Sequence, residues 1–358
     1  MQRRDFSKFP TATTAILSRN KPVGASKVPL GVAIHALRGM KVKAKQLVDY
    51  AIEHKLDSVL LGDYNNQFEN LEDKHLVEVS KLAKANDISI YVGAFSISET
   101  SSSYRGGYEN AEARLKEGIR VATSVGSPIV ATRIGGIRER YLNGGIDPHI
   151  KEVIRVMKAM RGPALDAGIK FAMENHGELR TEELLRIINE TGTDICGALF
   201  DPNNTVGVMD DPMRGLKMLG KHILCTSVRD FVVYETEEGA TSQSTAIGQG
   251  LMDYKFYTNF LAEHCPGVPI HVETVGSAKR SIPFLKPEFW DGFPDVHSSE
   301  IVDFLQRIRH GQPVEIAEPP AGADKNKFDI EQQQFMLQQS LDYLRRECGA
   351  GLKSYSIA

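Results

Sequence analysis

The sequence predicts an α/β protein of the (β/α)8 kind, a TIM barrel with a C-terminal helical extension, on three observations. Short apolar, β-rich runs alternate eight times with amphipathic helical stretches between residues 29 and 310. The runs are apolar almost throughout, as strands buried on both faces of a parallel sheet are. Eight such units in this length also fit a closed barrel, which typically takes roughly 250 residues. A doubly wound open sheet is the competing arrangement, and no GxGxxG opens the first unit to favour its dinucleotide-binding form.

The units follow in order. PLGVAIH (29–35) precedes a helix over about 41–54, LDSVLLGD (56–63) one over about 70–86, and ISIYVGAFS (88–96) one over about 108–125. PIVATRIG (128–135) precedes a helix over about 147–161, in which Ile150, Val153, Ile154, Met157 and Met160 recur at helical spacing. KFAMENH (170–176) precedes a helix for which Thr181 is the expected N-cap, with Glu182 and Glu183 in its first turn. DICGALFD (194–201) leads to a helix at about 211–219, capped by Asp211 with Pro212 at its first position. HILCTSVRD (222–230) leads, past a polar insertion at 232–248, to a helix over about 252–264. VPIHVET (268–274) leads, past a long loop, to a helix over about 298–310. Residues 1–28 read as a flexible N-terminal segment, 29–310 as the barrel, and 311–358 as a linker and a helix near 329–347, packed on the barrel or on a neighbouring subunit.

Composition narrows the function classes. The chain of 358 residues is 41% hydrophobic and 25% charged with net charge −3, so no basic field argues for nucleic acid. No run of roughly 18 apolar residues argues for a membrane. Cys196, Cys225, Cys265 and Cys348 are scattered, which suggests a reducing compartment and no disulfide framework. Met1–Lys8 is similar to a twin-arginine export motif, but residues 11–29 lack the apolar stretch an export signal needs. The expected location is therefore cytoplasmic, with the periplasm as the alternative.

Barrel chemistry sits at the carboxyl ends of strands. Those positions hold His35, Asp63, Arg133, Glu174 with His176, Asp201, Arg229 with Asp230, and Glu273. Burying that many ionisable groups is costly unless they are paired or bind a metal. Glu174, Asp201 and Glu273 each end an apolar run, and an oxygen-rich cluster suits Mg or Mn, with Mn, Co or Zn favoured if a histidine joins. The bland alternative pairs the three acids with Arg133, Arg229 and Lys279 at the rim.

The segments Glu174-Asn-His-Gly177, Phe200-Asp-Pro-Asn-Asn204, Asp210-Asp-Pro212, Val228-Arg-Asp230, Gly248–Asp253 and His271-Val-Glu273 resemble the xylose isomerase-like sugar isomerase/epimerase family. Its members include ketose 3-epimerases, inosose dehydratases, hydroxypyruvate isomerases, AP-endonuclease-type enzymes and lyases of 3-keto-glycosides. The resemblance implies a divalent metal held by Glu174, Asp201, the position of Ser227, and Glu273. Ser227 departs from the family pattern His-x-Lys-Asp, and a hydroxyl replaces imidazole poorly. Three outcomes follow: three carboxylates plus water hold the metal, His176 or Gln249 completes the shell, or no metal binds.

The implied activity is isomerisation, epimerisation or β-elimination of a sugar or keto-sugar by α-proton abstraction through an enediolate. Glu174 and Glu273 are the candidate catalytic pair, and His176, Asn204, Arg229 and Arg133 the candidate substrate-binding groups. The alternatives are a metal-free or non-catalytic carbohydrate-binding barrel and an AP-endonuclease-type phosphodiesterase. Phe284, Phe289, Trp290 and Phe293 make the loop at 276–297 aromatic, which suggests a lid or a homo-oligomer contact.

Overall fold

The computed structural model describes residues 28–142 and 144–354, so the twin-arginine-like segment lies outside the described residues. Strands run in chain order as β1 (Leu30–Ala33), β2 (Ser58–Leu61), β3 (Ser89–Ser96), β4 (Ile129–Arg133), β5 (Lys170–Glu174), β6 (Cys196–Phe200), β7 (Ile223–Thr226), β8 (Asp230–Thr236), β9 (Gly239–Thr245), β10 (Ile270–Val272) and β11 (Lys279–Ile282). Eight of them pair in parallel in the order β10-β1-β2-β3-β4-β5-β6-β7. A parallel bridge between Val228 and Val272 completes the ring. There the Val228 N–H donates to His271 O and the Glu273 N–H donates to Val228 O, both at 2.8 Å.

Side-chain alternation along the strands makes two apolar layers. A large cluster fills the space between strands and helices. A small one, including Ala33, Leu60, Ala131, Ala172 and Leu199, lies inside the ring. Its alanines leave room above them, and Ala33, Leu60, Ala131 and Leu199 form the floor of the cavity described below.

Local capping signals set several helix starts. Asp211 accepts from the Arg214 N–H at 2.8 Å and Pro212 opens the helix Pro212–Leu219. Thr181, in contrast, is the first helical residue and not the cap. Glu183 reaches back to the Arg180 N–H at 2.7 Å, and Asp210 accepts the Thr181 N–H at 2.7 Å. A carboxylate from a neighbouring loop thus takes over the capping that the threonine hydroxyl was expected to supply.

Two expectations are corrected by the elements that follow β7. The polar insertion at 232–248 is mostly an antiparallel hairpin of β8 and β9, extended by β11 into a three-stranded sheet. The sheet starts at Asp230, so the seventh barrel strand is shorter than 222–230. The aromatic loop packs inward and does not form an exposed patch. Phe289 and Phe293 are buried and stacked at 4.9 Å, Arg140 lies 4.2 Å from the Phe293 ring centre, and Trp290 Nε1 donates to Phe284 O. Phe289 and Phe293 are thus taken up within the chain, and Phe284 and Trp290 are half-buried.

The C-terminal helix Lys325–Cys348 lies against the barrel. It buries Leu337, Leu341 and Leu344 completely, each worth roughly 1.5–3 kcal/mol. Its Gln333 amide donates to His35 O and Thr274 O, tying the helix to the ends of β1 and β10. No helix among the described residues is long and apolar enough to cross a membrane.

Candidate active site

A cavity of about 370 Å³ opens at the carboxyl ends of the strands, lined by His35, Asp63, Phe95, Arg105, Arg133, Glu174, His176, Ser227 and Glu273 among others. Glu174 ends β5 and Glu273 follows β10, three strands apart round the ring by way of β6 and β7. Of the eight site residues expected from the sequence, Glu174, Glu273, His176 and Arg133 line this space, whereas Asp201, Asn204, Arg229 and Gln249 do not.

Glu174 lies 3.5 Å from Arg133 Nη1. Burial pushes its carboxyl up to about 8; Arg133 opposes the rise, and the nearby Glu273 and Asp201 add to it. Glu273 is held differently. Burial works against its ionisation, but His35, Arg229, the Ser227 hydroxyl and Arg133 together bring it below the ordinary carboxylate value. The Ser227 Oγ–H donates directly to Glu273 Oε2, and Arg229 Nη1 lies 3.5 Å from Oε1.

Both histidines of the cavity are biased toward the neutral form. His176 donates Nδ1–H to Gly135 O at 2.6 Å, leaving Nε2 as an acceptor. Burial and then Arg133 push it well below its usual value. His35 accepts at Nε2 from Arg38 at 3.1 Å, which places its proton on Nδ1. Burial lowers its pKa, with Glu273 opposing.

Behind the cavity wall lies a buried polar lattice. Asp201 is the N-cap of the short helix Pro202–Val206 and accepts from the Asn203 N–H and from Asn204 Nδ2, both at 2.9 Å. Arg229 Nη2 reaches Asp201 at 3.1 Å and Asn204 Oδ1 at 3.1 Å. Both ends of the Asn204 amide are therefore taken, which corrects its expected role in binding a substrate hydroxyl. Arg229 likewise braces carboxylates from behind. Gln249 sits beside the C-terminal helix, 3.5 Å from Gln339. Its loop is pinned by Asp230, which accepts the N–H groups of Gly248, Gly250 and Met252, so Gln249 completes no metal shell.

These residues do not fit a divalent cation. Each of the three acids that should converge on one is paired with a guanidinium, and Ser227 is committed to Glu273. No group of three or more His, Cys, Asp or Glu side chains able to hold a metal exists among the described residues. The expected Mn, Mg, Co or Zn centre is thus not assembled, and the multi-metal cluster that a phosphodiesterase reading requires has no counterpart there.

Sequence reasoning missed Phe95 and Arg105. Phe95 has φ 62, and its ring lies between two guanidiniums, with Arg105 and Arg133 each 3.9 Å from its centre. Arg105 is held at 2.5 Å by Asp63, a strand-end acid that also meets the buried Arg114 at 3.4 Å. Nothing in the spacing of Arg105 marks it; it comes from the loop beyond β3, outside the strand-end positions.

Residues 48–288 match the model of the xylose isomerase-like TIM barrel family. The uncharacterised protein YihM of Escherichia coli (strain K12) is 23% identical over 256 residues, covering 71% of this chain and 72% of that protein. Among solved structures, D-psicose 3-epimerase from Clostridium cellulolyticum H10 with D-tagatose superposes with TM-score 0.57 at 12% identity, covering 88% of this chain and 99% of that one. The IolI protein with a binding zinc atom gives 0.54 at 14% identity, covering 88% and 99%. At these identities the two structures speak for the fold.

Proposed function

The chain belongs to the xylose isomerase-like TIM barrel family, and from that premise we propose that it is a sugar-modifying enzyme acting by α-proton transfer on a sugar or keto-sugar. The observation that carries this is the placement of Glu174 and Glu273 on the wall of one cavity of about 370 Å³, a size that suits a small polyhydroxylated molecule.

The opposite bias of the two carboxyls assigns their roles. Glu273, ionised, takes the proton beside the substrate carbonyl. The electron pair moves onto the carbonyl oxygen, giving an enediolate. Arg133, on the cavity wall beside Glu174, is the cation that faces the developing negative charge. Glu174, protonated near neutrality, returns a proton to carbon or delivers one to a departing oxygen. The first outcome is isomerisation or epimerisation; the second is β-elimination. Both share the first step. Neutral His176, with Nε2 free of its Gly135 bond, accepts a substrate hydroxyl.

The test is a panel of ketoses, keto-glycosides and their phosphates incubated with the protein in D2O, with deuterium entry beside the carbonyl followed by proton NMR. Exchange on at least one member, lost in Glu273→Gln, is expected. Wild-type protein with no exchange on any member, or a Glu174→Gln/Glu273→Gln double variant that still turns over normally, contradicts the proposal.

A further inference from the structure

We propose that this site works without a divalent cation, because guanidinium groups stand where a cation would have to be held. The proposal rests on the reading above for the identity of the site. One planar group, that of Arg229, bridges two carboxylates, with Nη2 3.1 Å from Asp201 and Nη1 3.5 Å from Glu273. Arg133 lies 3.5 Å from the remaining one, Glu174. A dication entering here meets two fixed positive charges at short range, in surroundings that screen them little.

The donor atoms are also spent. Asp201 is completely buried, and its two oxygens already accept from a backbone N–H, the Asn204 amide and Arg229. To turn toward a metal it must loosen those bonds, Arg229 first, and donors stranded in a buried site are costly. Ser227 brings a neutral hydroxyl, which donates to Glu273, where an imidazole would offer a stronger donor atom to a cation. The fork of an arginine is suited to this bridging, since it offers several N–H groups in a fixed plane. Arg229 is therefore a positioning residue. It neutralises Asp201 and holds Glu273 at the cavity wall, while Arg133 supplies the charge that faces substrate.

The experiment is a metal titration that needs no turnover. Full-length protein is stripped with chelator and titrated with Co²⁺, Mn²⁺ and Zn²⁺ by calorimetry, with the visible absorbance of Co²⁺ as a second signal. The wild type is expected to take up no equimolar ion. Ser227→His/Arg229→Lys, which supplies an imidazole and removes the bridging fork, is expected to bind Co²⁺ at least about tenfold more tightly than the wild type and to show ligand-field bands. Equimolar uptake by the wild type, lost in Glu174→Gln or Glu273→Gln, overturns the proposal. A double variant that is folded by circular dichroism and binds no better than the wild type overturns it too. The wild-type titration decides alone if the double variant does not fold. A failed search for a substrate would count against the proton-transfer reading and leave this result standing.

Discussion

Glu174 and Glu273 open onto one cavity, and their surroundings push their carboxyls in opposite directions. Both are buried, which disfavours charge on either. Glu273 overcomes this through His35, Arg229 and a hydrogen bond from Ser227, whereas Arg133 alone, at 3.5 Å, does not offset burial and the neighbouring acids at Glu174. An acid and a base within one site follow from that difference.

The pH dependence has a definite sign. The folded-state pKa of Glu174 is raised from 4.5 to about 8, so the folded chain holds this proton more tightly than the unfolded chain. Its contribution to stability is full below the ordinary value and is lost as pH rises through about 8. Turnover should accordingly fall above pH about 8 with a one-proton slope. Denaturation midpoints of the wild type should drop relative to Glu174→Gln over the same rise from 4.5 to about 8. A turnover profile flat through that pH contradicts the assignment of Glu174 as the proton donor.

Asp230 holds the turn that carries Gln249. Its carboxylate accepts the N–H groups of Phe231, Gly248, Gly250 and Met252 at 2.8 to 3.2 Å. Asp230→Ala strands these donors, and a loss of about 3 kcal/mol in urea denaturation is expected, with little change in m. A loss below about 0.5 kcal/mol, the scale of an ordinary surface substitution, would show that water replaces the carboxylate.

Phe95 sets Arg133 by stacking beneath it, with Arg105 on the opposite face. Phe95→Leu removes both contacts, together worth about 1.4 kcal/mol, so kcat should fall by up to about tenfold while KM changes less, because Arg133 meets charge that develops in the reaction. A rise in KM at unchanged kcat would mean that the ring sets substrate binding and not the charge that meets the enediolate.

The barrel was legible because its signal is repeated: eight apolar runs, each followed by an amphipathic stretch. The hairpin of β8 and β9 was not: FVVY in β8 is β-rich but follows directly on the run HILCTSVRD, and SQST in β9 is polar and carries too little hydrophobic alternation to mark its partner. The site was legible to the level of which residues end strands, and not of where they point. Asp201 shows the difference. Asp-Pro-Asn-Asn reads equally well as a strand-end acid and as an N-cap followed by proline at the first helical position, and the cap wins. Arg229 was expected either to bind substrate or to pair with a strand-end acid, and it pairs with two. A planar fork that bridges two strand-end acids depends on spacing across the ring, which no linear spacing records.

The most direct measurement compares deuterium entry and net turnover in the two single variants on a substrate found in the NMR panel. Glu273→Gln should lose both, by about a hundredfold or more, because no base removes the proton. Glu174→Gln should keep exchange beside the carbonyl while product formation falls by a similar factor. Exchange abolished by Glu174→Gln and preserved by Glu273→Gln would contradict the account by reversing the acid and the base.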